Sequence, residues 1–173
     1  MEGLIHVYHG YGQGKTSAAT GLALRAAGNG LSVYYLQFLK GQPSGELAPL
    51  RQCGIRVERA QSLDLFVSAM TEEQKLTEQR NATRLLRSAF SDASAGLYDM
   101  LVLDEVIDAV TLGIIKEELF YRLLSERPQE VELVLTGHSL PERLAPLADY
   151  ITEFRCVRHP YENGLSARRG IEY

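Results

Sequence analysis

Seven residues near the start of the chain are spaced for phosphate chemistry. The run Gly10-Tyr11-Gly12-Gln13-Gly14-Lys15-Thr16 places three glycines before a lysine and a hydroxyl, and Ser17 follows. Glycines let a backbone wrap closely around an anion. Lys15 supplies a point positive charge, and Thr16 supplies a hydroxyl of the kind that meets Mg²⁺. The full pattern G-x-x-x-x-G-K-[ST] asks for its first glycine at residue 9, where the chain carries His9. That position falls where a strand ends and the turn begins, so the phosphates need no side chain from it.

A second group of residues fits the first. Asp99 to Asp104, "DMLVLD", is apolar inside and ends on Asp104 and Glu105. A carboxylate at the end of such a strand can hold Mg²⁺ beside the loop threonine. The bland reading is a solvated pair of strand-end acids. The phosphate loop favours the metal reading, with Thr16, Asp104 and Glu105 as its ligands.

These residues require elements in a set order. Leu4 to Tyr8 reads as a strand, and Thr16 to Ala27 as an Ala- and Leu-rich helix closed by Gly28-Asn29-Gly30. Ser32 to Phe38 and Gly54 to Glu58 read as strands, with a loop at Lys40 to Glu46 between them. Thr71 and Gln74 have capping-box spacing and open a long helix carrying Leu76, Leu85, Leu86, Ala89, Phe90 and Ala93. A helix over Lys116 to Arg127 stops at Pro128. Strands follow at Glu132 to Thr136 and Tyr150 to Phe154. A helix is expected near Ser139 to Ala148, kinked or broken at Pro146. Strands alternating with helices predict one α/β domain over residues 1–173. Its sheet is expected to be doubly wound and mostly parallel, with helices on both faces.

Composition narrows the function. The 173 residues carry a net charge of −4 and no basic run, which argues against nucleic acid or an anionic membrane as partner. No apolar run reaches the ~18 residues of a membrane span. Cys53 and Cys156 fit no zinc spacing and read as reduced thiols, so the expected compartment is the cytoplasm. Residue types and spacing thus reach a nucleotide-binding α/β protein of the phosphate-loop class, and stop short of a reaction.

Several blocks, in order and over nearly the whole chain, resemble the ATP:corrinoid adenosyltransferases of the CobA/BtuR type. They are "HGYGQGKTSAATGLALRAAGNG", "LQFLKG", "DMLVLDE", "ERP", "LVLTG", "LADYITE" and "HPYENGLSARRGIEY". The resemblance implies a RecA-like phosphate-loop fold. It also implies transfer of the 5′-deoxyadenosyl group of ATP to the cobalt of a reduced corrinoid, with triphosphate leaving. ATP and the corrinoid are then substrates, Mg²⁺ the metal, and a reductase or flavodoxin-type protein the electron donor to a homodimer. Lys15, Thr16 and Glu105 match the family's catalytic positions. Gly10, Tyr11, Gly12, Gln13, Gly14, Ser17 and Arg25 match its nucleotide-binding positions. Gln37, Phe38, Glu46, Phe66 and His138 are candidates for the corrinoid side. Each of these five also has a plain structural role open to it: sheet packing for Gln37 and Phe38, solvation for Glu46, core for Phe66 and a turn for His138.

The chain departs from the family in places. Tyr11 and Gln13 stand where Asn and Lys are usual, "TGH" replaces "TGR", and Arg168 replaces Gln. No tryptophan occurs near Phe66. The first strand begins within a few residues of Met1, so the helical segment that covers the corrinoid in relatives is expected to be missing. Two other functions compete. A small-molecule phosphotransferase would release ADP, and a non-catalytic nucleotide-binding relative would hold ATP without turnover.

Overall fold

A computed structural model describes residues 2–42, 44–61 and 63–171. Pro43, inside the expected loop, and Glu172 and Tyr173, which close the "GIEY" ending, lie outside the described residues.

Four strands carry the site. β1 (Ile5–His9), β2 (Val33–Gln37), β4 (Met100–Asp104) and β5 (Glu132–Thr136) join β3 (Arg56–Arg59) and β6 (Tyr150–Glu153) in one sheet. The order is β3-β2-β4-β5-β1-β6, and every pairing is parallel. Parallel strands need long crossovers, which the helices supply everywhere but between β5 and β6. These are α1 (Lys15–Gly28), α2 (Leu47–Gln52), α3 (Glu72–Ser94), α4 (Val106–Thr111) and α5 (Glu117–Ser125).

The strand period of two sorts side chains between two cores. One face of the sheet meets α3, α4 and α5 through Tyr34, Leu36, Leu101, Leu103, Leu133 and Leu135. The other meets α1 and α2 through Val33, Tyr35, Met100, Val102 and Val134. On α1 the contact stripe is Ala19, Ala23 and Ala26, small residues at helical spacing that let the helix lie close. Both faces are therefore covered, as the near-continuous apolar strands require.

The capping box forms as spaced. The Thr71 N–H donates to Gln74 Oε1 (2.8 Å), and the Gln74 N–H donates to Thr71 Oγ1 (3.2 Å). Leu85, Leu86, Ala89, Phe90 and Ala93 bury the inner face of α3, whereas Leu76, a turn from the start, is exposed.

One element differs. Residues 139–148 form no α-helix; a single 3₁₀ turn at Ala145–Leu147 stands in its place. Pro141 and Pro146 remove two backbone donors within six residues, which leaves too few consecutive donors for an α-helix. Two short helices, α2 and α4, arise where no helix is expected from periodicity. Each has six residues, below the length at which a helical period is visible.

Candidate active site

The loop after β1 is shaped by the edge of the sheet. The Gly10 N–H donates to the His138 carbonyl (2.9 Å), and the Gly12 N–H donates to the Phe154 carbonyl (2.8 Å). A Cβ at Gly10 would collide with the Phe154 carbonyl, and one at Gly12 would stand 2.7 Å from the Arg155 carbonyl carbon. Gly14 then turns the chain into α1 with φ +110°, a left-handed conformation that favours glycine. Beyond it, the first N–H groups of α1 have no partner within the helix and face its N-terminal end. The helix dipole makes that end attractive to an anion.

Lys15 folds back over this loop. Its ammonium donates to the Gly10 carbonyl (2.6 Å) and the Gly12 carbonyl (3.0 Å). Burial lowers its pKa below the ordinary lysine value, and Asp108, Glu105 and Asp104 oppose that only in part. The charge is held ready without a carboxylate in direct contact with it.

Three buried strands end in polar residues on the face that α1 covers. Gln37 is in register with Asp104, and Leu103, just before Asp104, with Leu135, just before Thr136. Alternation carries Tyr35, Val102 and Val134 onto the α1 face, so Gln37, Asp104 and Thr136 follow onto the same face two residues later. Asp104 is 0% exposed. It accepts from Thr16 Oγ1 (3.0 and 3.3 Å), Thr136 Oγ1 (2.9 Å), Gln37 Nε2 (3.2 Å) and Lys40 Nζ (2.9 Å). Thr136 Oγ1 in turn accepts from the Glu105 N–H (2.7 Å), which fixes the next carboxylate. Glu105 has φ +60°, a strained value for a side-chain-bearing residue. Its Oε1 stands 3.3 Å from Lys40 Nζ. Burial raises the Glu105 pKa above the usual carboxylate range, with Lys40 pulling the other way.

Glu46 closes one side of this cluster. Its Oε1 accepts from Gln37 Nε2 (3.0 Å) and Ser44 Oγ (2.6 Å). Gln37 Oε1 is buried and has no partner. A buried acceptor left bare at a polar site marks a place for a donor.

The rim is open. Tyr11 is 83% exposed, and its ring lies 5.5 Å from that of His138. His138 Nδ1 is 2.8 Å from Asp108 Oδ2, and its backbone N–H donates to both Asp108 oxygens (3.1 Å). Gln13 and Ser17 are exposed at the same end. The loop residues Gly10 to Thr16 are thus brought together with Asp104 and Glu105. Arg25 is not: it stands in the last turn of α1, ten residues or roughly 15 Å along the axis from Lys15.

The corrinoid candidates divide. Gln37 and Glu46 belong to the carboxylate cluster, and Phe38 is 0% exposed inside the core. Of the readings open to Phe38, packing is the one this fold adopts. Phe66 is the reverse, 86% exposed on a loop that packs against Gly41 and is tied by Gln61 Nε2 to the Leu63 (2.7 Å) and Leu65 (2.8 Å) carbonyls. Core packing, the plain reading of Phe66, does not occur.

Three residues enter the site without having been singled out in the sequence. Thr136 shares a signal with Gln37 and Asp104, a polar residue ending a buried strand. Lys40 lies in "LQFLKG" but no spacing points it at Asp104. Asp108 sits inside α4, whose existence the sequence does not announce.

A phosphate loop whose threonine is bonded to a strand-end aspartate of a parallel sheet defines the phosphate-loop nucleotide-binding class. Within that class the chain belongs to one family: the model for "ATP:corrinoid adenosyltransferase BtuR/CobO/CobP" matches residues 1–173. It is 32% identical over 172 residues to the corrinoid adenosyltransferase of Escherichia coli K12, covering 99% of this chain and 86% of the relative. It is also 32% identical over 177 residues to corrinoid adenosyltransferase CobA of Salmonella typhimurium, covering 99% and 86%. With the enzyme of Pseudomonas aeruginosa the identity is 30% over 173 residues, covering 99% and 84%. Among the described residues no helix is long and apolar enough to cross a membrane.

Proposed function

We propose that this chain transfers the 5′-deoxyadenosyl group of ATP to the cobalt of a reduced corrinoid. The cobalt supplies the electron pair, the bond between C5′ and the triphosphate oxygen breaks, and triphosphate leaves with that bond's electrons. The observation that carries the reading is the bond from Thr16 to Asp104, with Glu105 joined to the same cluster through Lys40, directly after the Lys15 loop in a chain of this family.

The chain's residues divide the work. The loop and the first turn of α1 bind the triphosphate, and Lys15 neutralises charge as it leaves. No attacking water has to be positioned. Site residues contribute orientation and electrostatics, and the corrinoid brings the nucleophile.

Mg²⁺ fits the donor set. Hard oxygens suit it, and it keeps several waters. Thr16, Asp104 and Glu105 would hold it, and the bare Gln37 Oε1 would accept from a metal-bound water. When bound, Mg²⁺ adds positive charge against the departing triphosphate. On the open side, Tyr11, Phe66 and His138 offer contacts to the corrinoid. Arg25 is left out of the triphosphate grip because of its distance along α1. Family membership supports a cytoplasmic homodimer supplied with electrons by a reductase or flavodoxin-type donor.

The test is anaerobic. Protein, MgATP and chemically reduced corrinoid should give the spectrum of the adenosylated product and one triphosphate for each turnover. ADP as the product would overturn the reading in favour of phosphoryl transfer.

A further inference from the structure

Lys40 occupies the place where the metal reading needs a cation. Its ammonium lies 2.9 Å from Asp104 Oδ2, 3.0 Å from Thr16 Oγ1 and 3.3 Å from Glu105 Oε1. These oxygens belong to the three residues assigned above to Mg²⁺. We propose that Lys40 is a tethered counter-ion: it neutralises the carboxylates of the nucleotide-free site, gives way to the divalent cation, and passes its charge to the incoming triphosphate. The inference rests on the assignment of Thr16, Asp104 and Glu105 to the metal.

Electrostatics require some such cation. Asp104 is wholly buried, and a buried carboxylate without a positive partner is expensive. Four neutral or positive donors meet it, and Lys40 is the one that carries charge.

The backbone is bent to bring it there. Leu39 has φ +54°, and such a conformation in a side-chain-bearing residue is kept only where its surroundings enforce it. The Lys40 carbonyl is held by the Arg59 guanidinium, so the main chain is anchored independently of the side chain. Lysine suits exchange, since its ammonium is a compact point charge on a flexible four-carbon stem. The residue is thus a positioning residue for the nucleotide and its metal.

The experiment is Mn²⁺ binding to the full chain without nucleotide, read by electron paramagnetic resonance. Lys40→Met should bind Mn²⁺ about tenfold tighter than the parent protein, because the competing ammonium is gone. In the presence of ATP the variant should hold the nucleotide more weakly. Equal or weaker Mn²⁺ binding by the nucleotide-free variant overturns the inference. Mn²⁺ binding to neither protein, even with ATP present, defeats the metal assignment itself and the inference with it. Should Lys40→Met fail to fold, nitrogen-15 lysine spectra of the parent protein provide the test. The Lys40 ammonium signal should move when MgATP is added, and an unmoved signal at saturation overturns the inference.

Discussion

Thr16 and Asp104 stand 88 positions apart in sequence, yet the Thr16 hydroxyl donates to the Asp104 carboxylate over 3.0 Å. One stands in the first turn of α1 and the other ends β4, so the chain between them passes through β2 and β3 before it enters β4. The bond makes the helix start and the strand end a single unit. Strand ends of a parallel sheet are where ligands bind in folds of this kind.

Lys15→Ala should lower kcat about 10²–10³-fold, the usual cost of losing one donor to charge that develops in the transition state. The fold should survive, because among the described residues Lys15 bonds to two loop carbonyls and to no side chain. Anaerobic assay of triphosphate release checks this. Normal turnover by the variant would remove the loop from the mechanism.

Asp104→Asn should destabilise the protein by about 3 kcal/mol, since an amide turns two donor hydrogens towards groups that now donate to a carboxylate. Urea unfolding at neutral pH measures it. A midpoint equal to that of the parent chain would mean the cluster does not hold the sheet to α1.

Glu105 gives the metal-free protein a pH dependence. Its carboxyl titrates above the ordinary 4.5, chiefly because of burial. The protonated form is the one folding favours. Its stabilising effect is therefore complete below the unfolded value and disappears as pH rises through the raised folded value. Thermal unfolding followed upward from pH 4 should show this decline, and Glu105→Gln should flatten it. Mg²⁺, by favouring the ionised form, should offset the decline in the parent chain alone.

Phe38 and Phe66 should respond in opposite ways. Phe38→Ala should cost about 3–5 kcal/mol of stability, as for a wholly buried aromatic ring. Phe66→Ala should change stability by no more than about 0.5 kcal/mol and raise KM for the corrinoid. An unchanged KM in the Phe66 variant would take that ring out of the corrinoid contacts.

Much of this arrangement can be read in the sequence. The runs ending at Gln37, Asp104 and Thr136 are apolar enough to require cover on both faces, and that alone implies a parallel sheet between helices. Gly14-Lys15-Thr16 and Asp104-Glu105 carry their chemistry locally, through residue type and a strand end. Lys40 does not, because its role depends on a turn at Leu39 and on β4, which lies beside β2 in the sheet but far from it in sequence. The 139–148 segment has helical composition between its prolines, yet Pro141 and Pro146 leave too few consecutive donors for a helix. Phe66 shows the opposite problem: an aromatic residue suggests core, and only the packing of its loop on Gly41 places it outside.

Gly10 and Gly12 are pressed against Phe154 and Arg155, where any side chain would collide with main chain. The architecture therefore demands two of the loop's glycines before a nucleotide is considered. A descendant of this chain could lose its substrate, and with it the need for Lys15, while both glycines persisted under selection for folding alone. Retention of the glycine pattern would report ancestry in such a descendant, and the lysine, the threonine and the aspartate would report whether the chemistry is still in use.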